Sequence, residues 1–444
     1  MNTEIIMIIK KIKNLIFNLR KLPYFGFIQG HDHLTDGQLS YLKSVVGVVD
    51  VNIVGQYERK FSKLVGPGHC ISFASARMGF WALLKYKGVG KGDEVILNGG
   101  TCAVMANAIL RTGATIVYSD ISPDTFGSSA DQIKRKITTK TKIIVAQHSF
   151  GIPCKIDVIA DLAKGKNIFL IEDSALAVGS TLKGKLVGSF GDASIFSTDH
   201  SKPINTFLGG MVYSENTKII KAIKSIKNNA EEVSVKKQNV EWKRILIERK
   251  YYGPSFYGKL QLFNLLGQLR GIFLKEESAF LDKDFYAEII NQYPYPAKMP
   301  TFLAALGLIE LENWELKVML RKRYLTSFLD LFDAMGINSV LPTCYKDKDL
   351  DIIPLRFVWS KDDDKLKKEL DRFLDVNGFW FQAPIIATPC SLDQFGYKGG
   401  DCPISEKLGR NMFNLPTALS NDDFTLFYKM IEKALGDHSS NHKS

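Results

Sequence analysis

With 444 residues, 45% hydrophobic and 24% charged, the chain has globular composition and enough length for a large domain and a smaller one. Its six cysteines, Cys70, Cys102, Cys154, Cys344, Cys390 and Cys402, form no CxxC pairs, which argues against a zinc ribbon or redox dithiol and favours reduced thiols in a cytoplasmic protein. A formal charge of +11 calls for an anionic partner, and without any helix-turn-helix, RRM or zinc-finger pattern a phosphorylated small molecule is expected rather than nucleic acid.

In chain order, residues 1–53 form a basic lead-in. Lys10, Lys11, Lys13, Arg20 and Lys21 interrupt its isoleucines and leucines, a poor signal peptide. Residues 5–22 read as an amphipathic helix packed on its own domain, with a weak contact to an anionic membrane surface as the alternative. His31-Asp32-His33 has metal-like spacing but no third ligand to name, so it reads as a surface loop and no metal is expected. A large domain follows at 54–300. From about Ser75 to Tyr213 short apolar runs alternate with amphipathic ones, the pattern of βα units feeding a mostly parallel sheet. Strands are predicted at 94–97, 115–119, 142–147, 167–171, 193–196 and 210–214, and helices at 76–86, 104–112 and 155–164. A lysine- and aromatic-rich helical insertion occupies about 215–297. Residues 301–331 read as one long amphipathic helix opening a smaller C-terminal α/β domain that ends near 435. That domain carries a strand at 351–359, a helix at 362–376 and a last helix after Ser420; residues 436–444 read as a disordered tail.

Glu172-Asp173 closes a predicted strand, where α/β sheets bind ligands. Asp173 could grip an NAD ribose, but the required G-x-G-x-x-G before it is missing, and Gly88-Val-Gly-Lys-Gly92 follows a helix and precedes a strand, the reverse order. No stretch reads as a P-loop. The other reading pairs Asp173 with the next strand, which runs through Ser197 to Lys202 and on to Gly209-Gly210. A pyridoxal cofactor needs a lysine amine for its imine, a carboxylate to keep its ring nitrogen protonated and donors for its phosphate. Lys202, Asp173 and Ser197 fit those needs.

Here the chain resembles the DegT/DnrJ/EryC1/StrS family of sugar aminotransferases, over roughly residues 54–435. The resemblance rests on Gly92-Asp-Glu-Val-Ile96, Thr101-Cys-Ala-Val104, Gly113-Ala114 with Asp120-Ile121, His148-Ser-Phe-Gly151, Ile171-Glu-Asp-Ser-Ala175 and Phe196-Ser197 with Lys202. Lys298-Met299, Ala305-Leu-Gly-Leu308, Cys402-Pro403, Glu406 and Leu415-Pro416 continue it. Their shared order makes it specific.

The resemblance implies a fold type I enzyme that uses pyridoxal 5'-phosphate and works as a homodimer. Lys202 would carry the cofactor and shuttle the proton, Asp173 would pair with the ring nitrogen, and Ser197 with the helix start at Ala76-Arg77 would hold the phosphate. His148 either lies near the cofactor or is a satisfied core histidine. Arg77 stands in a Gly-Thr of the family, Cys102 replaces an aromatic that stacks on the ring, Leu176 replaces a glutamine, and Pro296 stands where an asparagine reaches the partner's phosphate. The expected reaction is amino transfer, with glutamate as donor, to a keto-sugar nucleotide used for polysaccharide, lipopolysaccharide or a glycosylated metabolite. The alternatives are a pyridoxal-phosphate sugar dehydratase, whose known members replace the lysine with histidine, and a cofactor-binding regulatory protein with little catalysis.

Overall fold

A computed structural model describes residues 23–28, 30–262, 285–287, 294–376, 384–386, 388 and 390–440. The expected helix at 5–22 and the last tail residues, 441–444, lie outside them, as does part of the insertion.

The lead-in is more structured than expected, with helices α1 (Asp36–Ser44) and α2 (Val51–Ser62). Thr35 caps α1 in a capping box with Gln38, and Asp50 caps α2 by accepting from Asn52 and Ile53 amides. The large domain then alternates β1 (His69–Phe73), α3 (Ala76–Tyr86), β2 (Glu94–Asn98), α4 (Ala103–Leu110), β3 (Thr115–Ser119), α5 (Ala130–Lys136), β4 (Thr141–Gln147), α6 (Ile156–Lys166), β5 (Phe169–Asp173), β6 (Ala193–Ser197) and β7 (Gly210–Ser214). These strands form one sheet in the order β1-β7-β6-β5-β4-β2-β3. Only β7 runs against the others.

Both faces of this sheet are covered, so its strands are apolar on both sides. Val95 and Leu97 of β2, with Ile143 and Val145 of β4, join one core with α3 and α4. Ile96, Ile144 and Ala146 face the other way into a second core with Ile156, Ile159 and Ala163 of α6. The alternation aims residues at the strand ends. β5 begins two residues later than expected because Asn167 ends α6 in the left-handed conformation (φ 55°). The carboxylates Glu172 and Asp173 therefore belong to the strand itself.

The insertion begins with α7 (Thr217–Asn228) and α8 (Val235–Tyr251), and residues 254–262 are also helical. The expected long helix is two, α9 (Thr301–Glu312) and α10 (Trp314–Ala334). They break at Asn313, whose side-chain amide donates to the Ile309 carbonyl and competes with the backbone ladder. The single strand expected at 351–359 is also divided. Leu350–Asp351 pairs with Thr181–Leu182, and β8 (Arg356–Ser360) pairs with β9 (Met412–Pro416). Pro354 lies between them and has no N–H to donate.

The helix expected at 362–376 is shorter, α11 (Asp364–Leu370), capped by Asp363. The chain then extends so that Leu374 pairs with Phe25 from the lead-in. After α12 (Pro403–Asn411), α13 (Asn421–Ser440) carries helix into the stretch expected to be disordered. The C-terminal elements share a separate apolar core that includes Phe328, Phe357, Trp359 and Phe427, and Phe25 is buried in it.

Candidate active site

Asp173 ends β5 and Ser197 ends β6, neighbouring parallel strands in which Asp173 pairs with Ile195. The two side chains reach the sheet's carboxyl edge together. Lys202 follows in a tight turn in which its amide donates to the Asp199 carbonyl. All three line one cavity of about 370 Å3, together with Ser75, Ala76, Arg77, Cys102 and Leu176.

Asp173 is 6% exposed and accepts from the Ala175 amide at 3.1 Å. Burial raises its pKa, while the Ala175 N–H, Lys202 and His148 act in the opposite sense. Burial also pushes the Lys202 amine below the ordinary lysine range, against the pull of Asp199, Cys102 and Asp173. Each of the pair thus feels the other's charge. Ser197 Oγ accepts from the Asp199 amide at 3.4 Å.

Across the cavity the start of α3 is a candidate anion seat. Its N-cap, Ser75, makes no side-chain cap, and its buried Oγ has no hydrogen-bond partner among the described residues. Donors at a helix start that lack protein acceptors suit a phosphate. Gly210 permits the seat: a Cβ there would lie 2.3 Å from the backbone of Ala76. The preceding Gly209 holds φ at 144°, and a Cβ on it would meet Thr198 Oγ1 at 2.5 Å. The carboxylate, amine and anion seat fit the ring nitrogen, aldehyde and phosphate of pyridoxal phosphate.

Cys102 is the N-cap of α4, held by parallel pairing of Thr101–Cys102 with Ile385–Ile386. Leu176 lies just past Asp173 and is buried at the wall. His148 does not line the cavity, which favours the core-histidine alternative over a place beside the cofactor. Its Nδ1 accepts from the Cys154 amide and its Nε2 lies 3.2 Å from Glu172 Oε2, so it turns back into the sheet; Gln147, one residue earlier, lines the cavity instead.

Sequence reasoning missed Phe27, Arg244, Tyr257, Phe285 and Arg356, all of which line the cavity. They come from the lead-in, the insertion and the C-terminal domain, and no local motif marks them. Arg356 is 5% exposed, donates to Asn414 Oδ1 at 3.0 Å and lies 4.3 Å over the Phe27 ring. The surface-loop reading of His31 is also overturned, since it is 1% exposed. Among the described residues no cluster of three or more His, Cys, Asp or Glu could hold a metal.

A mostly parallel sheet that turns an amine, a carboxylate and an anion seat into one cavity has the architecture of a fold type I pyridoxal-phosphate enzyme. The model of the DegT/DnrJ/EryC1/StrS aminotransferase family matches residues 47–263 and 270–425, and the chain belongs to that family. It is a pyridoxal-phosphate-dependent transaminase. GDP-perosamine synthase of Escherichia coli O157:H7 is 26% identical over 393 residues, 87% of this chain and 91% of that protein. The spore coat polysaccharide biosynthesis protein SpsC of Bacillus subtilis is 36% identical over 171 residues, covering 38% and 44%. Among solved structures, Helicobacter pylori PseC, an aminotransferase of pseudoaminic acid biosynthesis, superposes with a TM-score of 0.68 at 16% identity, covering 93% of this chain and 100% of that one.

Proposed function

We propose that this transaminase aminates a keto-sugar nucleotide, with glutamate as the amino donor and Lys202 as the residue that carries the cofactor and moves the proton. The observation that carries the reading is that buried Asp173 and half-buried Lys202 line one cavity with Ser197. Bound pyridoxal phosphate supplies an electron sink for the carbon bearing the amino group. Asp173 would hold the ring nitrogen by a charge-assisted hydrogen bond. Ser197, Arg77 and the α3 amides would hold the phosphate. Cys102 and Leu176, which line the cavity, would bound the ring. Burial lowers the Lys202 pKa, which favours the neutral amine that accepts a proton at Nζ and returns it.

The sugar-nucleotide class is supported by the perosamine synthase likeness. It is also supported by the chain's net positive charge and by Arg244 and Arg356 at the cavity wall, which suit a diphosphate. Two finer readings accompany it. The working unit is a homodimer, supported by an exposed apolar run at Val48, Val49 and Val51; the location is cytoplasmic, supported by six free cysteines.

Pyridoxal phosphate added to purified protein should give a visible absorption band that borohydride removes, with the added mass mapping to Lys202. Turnover of a keto-sugar nucleotide with glutamate should fall by roughly 10²–10⁴-fold in Lys202→Ala. Wild-type turnover by that variant would overturn the assignment of Lys202. A holoprotein that exchanges amino groups with no common donor would favour binding without catalysis.

A further inference from the structure

His31 and His33 belong to a charge network against the lysine loop, and neither lines the cavity of Lys202, Asp173 and Ser197. His31 Nε2 donates to the Asn205 carbonyl at 2.9 Å. Its Nδ1 lies 3.2 Å from Glu248 Oε2 of α8. His33 Nε2 lies 2.8 Å from Glu310 Oε1 of α9, and Glu310 Oε2 accepts from the Asn205 amide at 3.2 Å and from Lys317 Nζ at 2.5 Å. Asn205 is thus held at both its N–H and its C=O. Those partners come from the lead-in and α9, neither of which is near it in sequence.

The contact surfaces are close. A Cβ at Gly30 would lie 2.4 Å from the Glu248 carbonyl, so the lead-in crosses α8 with no room between. A gap of about 10 Å3, on the order of one water, is walled by His31, His33, Asn205, Glu310 and Lys202 itself. Asn205 is three residues beyond Lys202, across Pro203, whose ring fixes one of the few intervening dihedrals. A displacement of Asn205 therefore moves the root of the lysine side chain.

We propose that His31 and Glu310 are positioning residues that clamp the Asn205 peptide and thereby fix the angle and burial of Lys202. This rests on the transaminase reading for its consequence, but not for its geometry. Neither residue touches substrate or cofactor. Their effect reaches the chemistry only through the loop.

The test follows Lys202 itself in cofactor-free protein, by measuring the pH dependence of its acylation with a small reagent and peptide mapping. The wild-type amine should titrate below the exposed lysines of the same sample. In His31→Phe, which keeps the ring volume but removes both polar contacts, its midpoint should move up by about one unit as the loop loosens and water reaches the amine. His31→Gln, which restores one donor toward Asn205, should recover much of the wild-type value. An unchanged midpoint in folded His31→Phe would overturn the proposal. Should that variant fail to fold, amide exchange of wild-type protein decides: the Asn205 amide should be protected, and exchange at the rate of an open loop would overturn the clamp. These readouts use no cofactor or substrate. Loss of the clamp would leave the transaminase reading intact, and an inactive enzyme with an intact clamp would count against that reading alone.

Discussion

His31 donates from Nε2 to the Asn205 carbonyl, and its Nδ1 lies 3.2 Å from the Glu248 carboxylate. Burial opposes its charge, yet Glu248 and Glu310 outweigh burial and raise its pKa. The groups facing it and its partners are Glu248 from α8, Glu310 from α9, Lys317 from α10 and His33 beside it. A raised histidine contributes stability that is complete below its unfolded value of about 6.5 and is lost as pH rises through the folded one. Glu310, held below the usual carboxylate range by Lys317 and the histidines despite its burial, contributes above about pH 4.3 and fails only in stronger acid. Urea midpoints should therefore decline as pH rises above about 6.5, and His31→Gln should flatten that limb. The same residue scale explains what the chain made legible at the site. Lys202, Asp173 and Ser197 lie on or just after neighbouring strands, so one motif spacing places all three. His148 stayed ambiguous in the sequence because a strand end alternates faces: Gln147 meets the cavity and His148 turns away, and a one-residue ambiguity at a strand end reverses which is which.

Among the elements, those buried on both faces were readable because covered parallel strands are near-continuous apolar runs. β1 was not, since a five-residue strand after Gly66-Pro67-Gly68 carries too little periodicity to separate from its turn. The divided strand before β8 depended on a distant side chain. Arg321 of α10, 4% exposed, donates to the Pro354 carbonyl at 2.9 Å and the Leu355 carbonyl at 3.2 Å, and contacts Thr417 Oγ1 at 3.1 Å. Those carbonyls leave the sheet ladder because an arginine and a threonine receive them. Arg321→Leu leaves Thr417 as their remaining side-chain donor. It should cost about 2 kcal/mol or more in denaturant unfolding, with activity lost only in step with the folded fraction.

For the whole molecule, the lead-in joins regions that the chain order separates. Phe25 is fully buried in the C-terminal core, its amide donating to the Phe373 carbonyl and its carbonyl accepting from the Asp375 amide. Leu34 is buried in the core of the large domain, and Phe27 between them lines the cavity. No periodicity in 23–34 announces this, because the segment makes no regular element of its own and packs through single residues. The clamp on Asn205 spans 174 residues to His31 and 105 to Glu310. Contacts that close such long loops tend to form after local helices and hairpins. On refolding from denaturant, the helical signal should return first and borohydride-trappable cofactor later; simultaneous recovery would contradict this order. During synthesis, a ribosome must pass codon 310 before the lysine loop can be set, so a nascent chain exposes this amine without the posture that makes it useful.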